Sequence, residues 1–357
     1  MSNYLFIFIT AILLSVLCTV LIRWVSLKYG VVDRPSPRKI HTQAVPLLGG
    51  VAVFFSFFIM LFIFREELVA GKLQYHHWLG FFIGAIFLMI GGFLDDKYDI
   101  SPRWQIIWPL LAIISVIGGG VEIGKISAPT GGILHLDQWR ITLWHLNNAT
   151  FYLVVLADLF TLLWLLGMMY TTKLLDGVDG LVGGITAIGG LVIFLFTSST
   201  PYHQPDIALA SLIFAGCCLG FLIFNWNPAR IFLGEGGSLL LGYILGVLAI
   251  ISGGKIAIAL LVMGVPIMDV GWTILRRLWK GNNPFKFPDK KHLHHRLLNQ
   301  GLSQKQTVLI FYTIAIIFGG SALFLQTKGK IYALSALIIL MLFIVAGFHY
   351  LDKKRKD

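Results

Sequence analysis

The sequence predicts an all-α, polytopic membrane protein, and three observations predict it. The 357 residues are 57% hydrophobic and only 13% charged, with a mean hydropathy of +0.82, whereas water-soluble domains carry about 25% charged residues. Apolar runs of roughly 17–22 residues recur from end to end, each long enough to cross a hydrocarbon core of about 30 Å as a helix. Eleven spans follow, at about 4–22, 46–64, 78–94, 105–121, 151–170, 181–197, 207–224, 238–252, 255–274, 307–325 and 331–349. No stretch is left for a soluble domain, so residues 1–357 form a single membrane domain. The third observation is the placement of the basic residues. With the N-terminus outside, the loops after odd-numbered spans and the C-terminal tail hold 21 of the 28 Lys and Arg. The positive-inside rule then puts the N-terminus outside and the C-terminus in the cytoplasm. The net charge of +11 reports this orientation, not an affinity for nucleic acid.

In chain order, the run from Tyr4 to Ile22 has no basic segment before it and is followed by Arg23 and Lys28, which suits a retained signal-anchor helix. The cytoplasmic loops are then about 23–45, 95–104, 171–181, 225–237 and 275–306, and every polar, motif-like segment falls within them. The opposite face has short links and one loop of about thirty residues, 122–150. There Pro129-Thr130-Gly131-Gly132, between Ile126 and Ile133-Leu134, predicts a β-hairpin lid. Trp78, Trp104, Trp108, Trp144, Trp226, Trp272 and Trp279 lie mostly near span ends and suit interfacial anchoring. The tail Lys353-Lys354-Arg355-Lys356 faces anionic lipid as an orientation signal. Cys18, Cys217 and Cys218 fall inside apolar runs without a CxxC, as small membrane-helix residues.

Four segments on the cytoplasmic face carry candidate chemistry. Gly91-Gly92-Phe93-Leu94-Asp95-Asp96 ends the third span with adjacent carboxylates; acids near membrane depth are costly and usually engaged, although solvated helix-end residues are the alternative. Lys173-Leu174-Leu175-Asp176-Gly177-Val178-Asp179-Gly180-Leu181 sets two carboxylates three apart, on one side if helical. Gly177, Gly180, Gly183 and Gly184 admit either a phosphate or a neighbouring helix. Asn225 through Ser238, with Phe232 and Glu235, opens a span with exposed amides that suit an anion and a carboxylate that suits a cation, together a metal–phosphate arrangement. Lys290-Lys291-His292-Leu293-His294-His295-Arg296 lies in the most basic loop. No Cys accompanies the histidines and their spacing is not that of a zinc finger; flanking Lys and Arg suit a pyrophosphate, with proton exchange as a second option.

Together these segments resemble the polyprenyl-phosphate N-acetylhexosamine-1-phosphate transferase family. The resemblance runs from about Asp33 to Leu298, through Asp33-Arg34-Pro35 to His41, Pro46-Leu47-Leu48-Gly49-Gly50, Asp95-Asp96, Asp176-Gly177-Val178-Asp179-Gly180-Leu181, Phe224-Asn225, Pro228-Ala229, Phe232-Leu233-Gly234, Gly237-Ser238-Leu239 and His292-Leu293-His294-His295. The H-x-H-H form is similar to the N-acetylglucosamine-1-phosphate branch. The resemblance implies a UDP-N-acetylhexosamine donor, a polyprenyl phosphate acceptor, Mg²⁺, and a bacterial inner-membrane enzyme able to form a homodimer. It makes Asp95, Asp96, Asp179, His292, His294 and His295 the catalytic set. Asp176, Lys173, Asn225, Phe232, Arg296 and His41 are the expected substrate-binding residues, and Glu235 the Mg²⁺ ligand.

Two departures bear on that reading. Where the family has asparagines three and six residues before the first Asp of the DGxDGL motif, this chain has Lys173 and Tyr170, and Glu235 stands where the family has a metal-binding Asp. Glutamate can still ligate Mg²⁺, but an ammonium has no lone pair to give. One expectation is a compensating pair, with Lys173 taking part of the cation's role; another is a member that has lost transfer and only binds lipid phosphate or a partner. A secondary transporter is a third class, but it needs midplane acids and a repeated half, neither of which is evident.

Overall fold

Each of the eleven apolar runs contains helix in the computed structural model, which describes residues 2–35, 44–71, 73–127, 132–146, 149–253, 256–279, 281 and 292–354. The chain begins with α1 (Ser2–Lys28), a short antiparallel pair β1 (Val32–Asp33) and β2 (Val45–Pro46), then α2 (Gly49–Ile63), α3 (Arg65–Leu68), α4 (Tyr75–Tyr98), α5 (Pro102–Gln105) and α6 (Ile107–Gly118). Two hairpins follow, β3 (Lys125–Ser127) with β4 (Ile133–His135), and β5 (Arg140–Leu146) with β6 (Ala149–Val154). The rest is helical: α7 (Val155–Leu175), α8 (Leu181–Ser198), α9 (Pro205–Asn225), α10 (Gly234–Ile251), α11 (Ile256–Val262), α12 (Gly264–Trp279), α13 (Leu293–Asn299), α14 (Gln304–Ser321) and α15 (Thr327–Lys354).

This is a multi-pass membrane protein. Seven helices are long and apolar enough to cross a bilayer, or eight if α11 and α12 count as one broken span. Large apolar side chains such as Leu13, Leu17, Ile338 and Phe343 point outward, as a lipid-facing surface requires. Two expectations are corrected. The 255–274 run bends by 80° between α11 and α12, because Pro266 has no N–H and its ring crowds the carbonyl of Val262, four residues back. Residues 149–154, expected partly within a span, are strand β6; the β-branched and aromatic side chains that made the stretch look apolar also favour a pleated ladder. The fold is mostly helical, as expected, with its strands confined to links. The expected hairpin after α6 is present, with Ile126 opposite Leu134, its turn lying outside the described residues.

The bundle is organised around α10. Residues Gly236 to Ile250 are all buried, and the helix packs against α2, α4, α7, α8 and α9, as an all-round apolar helix must. Lipid tails are as apolar as the packed side chains, so close van der Waals contact, not exclusion from water, holds such helices together. Glycine makes that contact possible here: a Cβ on Gly50 would overlap Gly237, and one on Gly92 would overlap Gly236. Two of the interior polar groups bond across helices, Tyr243 Oη donating to the Phe81 carbonyl (3.0 Å) and Trp164 Nε1 to that of Gly246 (3.1 Å). With α2, α4 and α7 drawn against one helix, their polar ends meet at its N-terminus.

Candidate active site

A cleft of about 1140 Å³ opens at that end, lined by Asp95 and Asp96 from α4, Lys173 from α7, Asp176 and Asp179 from the turn into α8, Asn225 from α9, and Phe232 and Glu235 beside α10, with His295 at one wall. The turn between α7 and α8 takes its shape from Gly180, whose φ of +81° suits glycine. Its N–H donates to Asn225 Oδ1 (3.0 Å), and Asn225 Nδ2 donates to the Ile231 carbonyl (2.9 Å). Tyr312 Oη donates to the Gly180 carbonyl (2.6 Å), while Asp179 Oδ2 accepts from Asn227 Nδ2 (2.9 Å) and the Ala229 N–H (3.0 Å). Asn225 and Asp179 thus fasten the DGVDG turn to the 225–233 loop as well as bordering the cleft. Gly183 and Gly184 face Phe221 and Tyr312, serving helix packing, whereas Gly177 lines the cleft.

The carboxylates at the floor are joined by a chain of hydrogen bonds and one ion pair. Asp96 Oδ1 accepts from the Glu235 N–H (3.1 Å), a stabilising place for an acid because the first N–H groups of a helix lack internal partners. Asp95 Oδ1 accepts from the Ile100 N–H and from Gln105 Nε2, both at 2.9 Å. Gln105 Oε1 in turn accepts from Lys173 Nζ (3.1 Å), and that ammonium pairs with Glu235 Oε2 at 2.8 Å. Asp176 stands beside this chain. Desolvation by the surrounding protein, then the carboxylates of Glu235, Asp179 and Asp96, push its pKa up to about 8; water reaches the side chain in the cleft and screens the energetic weight of that shift.

The expected role of Glu235 as a Mg²⁺ ligand meets a physical obstacle. Mg²⁺ requires oxygen ligands at about 2.0–2.1 Å in near-octahedral order, and the Lys173 ammonium already holds Glu235 and Gln105. Among the described residues no three His, Cys, Asp or Glu side chains lie close enough together to hold a metal ion. The donor set as it stands does not fit a Mg²⁺ held by Glu235.

The histidines divide between wall and interior. His292 Nδ1 lies 2.8 Å from Asp269 Oδ2, and Asp269 Oδ1 accepts from the Leu293 N–H (3.0 Å), so an acid on α12 anchors the start of α13. His294 is buried at 1% exposure, with its ring against that of His295 and parallel to that of His292. A Cβ on Gly177 would stand 2.9 Å from its Nε2, so it closes on the DGVDG backbone. Of the three, His295 lines the cleft. Arg296 is not among the lining residues, its guanidinium lying 5.6 Å over the Phe348 ring. His41 falls outside the described residues.

Burial, then His295 and His292, lower the His294 pKa to about 3. The unfolded chain has the ordinary value of about 6.5, so below that pH it binds a proton that the folded protein refuses. Stability is therefore lost as pH falls from 6.5 toward 3. Thermal unfolding in detergent should show the protein losing roughly 2 kcal/mol more than His294→Gln between pH 6.5 and 5; equal losses would refute a neutral, buried His294.

Gln105, Asn227, Asp269 and Tyr312 were not singled out from the sequence. Asp269, an acid inside an apolar run, carried a usable signal; Gln105 and Tyr312 carried none, since their partners lie 68 and 132 residues away.

The chain is also similar to known proteins. The family model described as Glycosyl transferase family 4 matches residues 78–253. The chain is 32% identical over 343 residues to a probable undecaprenyl-phosphate N-acetylglucosaminyl 1-phosphate transferase of Bacillus subtilis, covering 94% of this chain and 89% of that protein. It is 28% identical to the decaprenyl-phosphate N-acetylglucosaminephosphotransferase of Mycolicibacterium smegmatis, over 88% and 80% of the two chains. With the undecaprenyl-phosphate alpha-N-acetylglucosaminyl 1-phosphate transferase of Salmonella typhi it shares 26% identity, over 96% and 88%.

Proposed function

The chain belongs to glycosyl transferase family 4, and we propose that it transfers N-acetylglucosamine-1-phosphate from UDP-N-acetylglucosamine to a polyprenyl phosphate. The observation that carries the reading is the convergence of Asp95, Asp96, Asp176, Asp179, Glu235 and His295 on one cleft at the helix ends, in a chain similar to such transferases along nearly its full length. A lipid phosphate held by its tail at the membrane surface and a soluble nucleotide sugar meet naturally there.

In the reaction, an oxygen of the polyprenyl phosphate attacks the β-phosphorus of the UDP-sugar. The bond from that phosphorus to the oxygen bridging the two phosphates breaks, and UMP leaves with the bridging oxygen. The acceptor monoester has a second pKa near 6, so it is already largely ionised at neutral pH, and the protein's work is positioning and charge compensation. Asp95 and Asp96 take the acceptor side, with Asp96 receiving its residual proton. The DGVDG turn, Asn225 and Phe232 form the nucleotide side, the Phe232 ring being suited to stack on uracil. His295 approaches the diphosphate, with His294 and His292 behind it as positioning residues. We infer further that the cleft faces the cytoplasm of a bacterial inner membrane, with eleven spans and the N-terminus outside, on the strength of the Lys and Arg distribution.

The decisive measurement is UMP release by the purified protein supplied with UDP-N-acetylglucosamine and undecaprenyl phosphate. UMP formed only when the lipid is present supports transfer. Lipid binding with no UMP from this or any other UDP-N-acetylhexosamine would favour the member that only binds.

A further inference from the structure

We propose that Lys173 is a built-in counter-cation, its ammonium held by Glu235 and Gln105 so that sugar-phosphate transfer proceeds without a bound divalent ion. The inference deepens the transferase reading and rests on it.

The first support is position. The Lys173 side chain is only 18% exposed, unusual for lysine unless the charge is paired, and it lines the same cleft as Asp95, Asp96 and Asp176. Two anionic substrates entering a floor of carboxylates need positive charge close by, and here a covalently attached one stands in the floor. The second support is coordination. An ammonium has three N–H donors; Gln105 Oε1 takes one and Glu235 Oε2 pairs with its charge at 2.8 Å, so donor capacity remains for a phosphoryl oxygen. Gln105 links the ammonium onward to Asp95, so its place is held from α4, α5 and α10 together. A donor fixed beforehand where charge develops needs no reorganisation during the reaction.

The third support is the mutual dependence of the two residues. Glutamate is one methylene longer than aspartate and reaches the ammonium; shortened, it would withdraw from it. Asparagine in place of Lys173 would leave Glu235 facing the other carboxylates uncompensated. A divalent ion at Glu235 would have to displace an ammonium that offers it no lone pair and then remain beside a like charge. The pair therefore functions as one unit that both supplies a cation and excludes another.

The test uses the full chain in detergent and has two arms. In the first, UMP release from UDP-N-acetylglucosamine and undecaprenyl phosphate is measured in excess EDTA and in Mg²⁺; the rate should persist in EDTA, and Lys173→Met should lose about 100-fold of it. In the second, Mn²⁺ is titrated without nucleotide and followed by electron paramagnetic resonance. The unaltered protein should leave Mn²⁺ free, whereas the K173N/E235D double variant should bind one ion. Activity abolished by EDTA and restored by Mg²⁺ would overturn the proposal, and so would a tightly bound Mn²⁺ in the unaltered protein that Glu235→Gln removes. Both decisive results come from the unaltered chain, so a variant that fails to fold does not rescue the idea. If no UMP appears in any buffer, the transferase reading fails by itself and the Mn²⁺ arm decides. Binding only in the double variant then upholds Lys173 as the resident cation, and binding in neither protein sinks it.

Discussion

Asp96→Asn is expected to lower lipid-dependent UMP release by about 10²–10⁴-fold, the range for losing a positioned general base, while leaving the fold intact. The substitution separates the two things this carboxylate does. Its Oδ1 accepts from the Glu235 N–H, and an asparagine Oδ1 can accept the same bond, so the start of α10 should stay where it is. What disappears is the negative charge and the capacity to take a proton from the acceptor phosphate. Thermal unfolding of the variant should match that of the unaltered protein within about 1 kcal/mol. A variant that keeps activity within about tenfold would assign Asp96 to the helix terminus alone. Burial holds the Asp96 carboxyl up at about 7, so the unaltered protein also loses this base as pH falls below 7 and the deficit should narrow toward pH 6.

The second large effect is steric and acts from a distance. Gly92→Ala should destabilise the protein by about 3 kcal/mol, the upper end for overpacking a filled core, because the added methyl meets the Gly236 backbone of α10, not a side chain that can rotate away. Gly92 lies one turn before Asp96 on α4, and Gly236 follows Glu235 on α10. Pushing these helices apart would move the two carboxylates relative to one another, and a misplacement of about 1 Å can cost about 10² in rate. Thermal unfolding and UMP release on the same preparation should fall together. If Gly92→Ala matches the unaltered protein in both, the α4–α10 crossing is looser than its geometry requires. Gly50, against Gly237, offers a second place to examine the same dependence.

Much of the architecture and most of the cleft were legible before any tertiary information. The apolar runs specify helices because backbone polar groups in lipid must be satisfied within the segment. The paired carboxylates at 95–96 and 176–179 stood out because acids are rare in so apolar a chain. Where pattern failed, the cause was local chemistry overruling hydropathy. Pro266 breaks a run that is apolar throughout, and residues 149–154 satisfy strand and span criteria equally until a pairing partner, β5, is known. The histidines show another limit. H-x-H-H spacing says nothing about which ring faces a cleft; burial against Gly177 and the bond from His292 to Asp269 separate His295 from its neighbours.

By itself, then, the sequence determined membrane residence, the helical runs, the family and the set of carboxylates, because those depend on composition, on the lengths of apolar segments and on motifs read along the chain. Only the tertiary structure decided how the charges are partnered. Lys173 and Glu235 are 62 positions apart and could each have faced substrate, a metal or solvent. It is the convergence of α4, α7 and α10, allowed by glycines at their crossings, that brings the ammonium to 2.8 Å from the carboxylate. At that range, in a cleft partly shielded from water, Coulomb attraction is weakened less than it would be in bulk solvent, and two unremarkable residues become one charged unit.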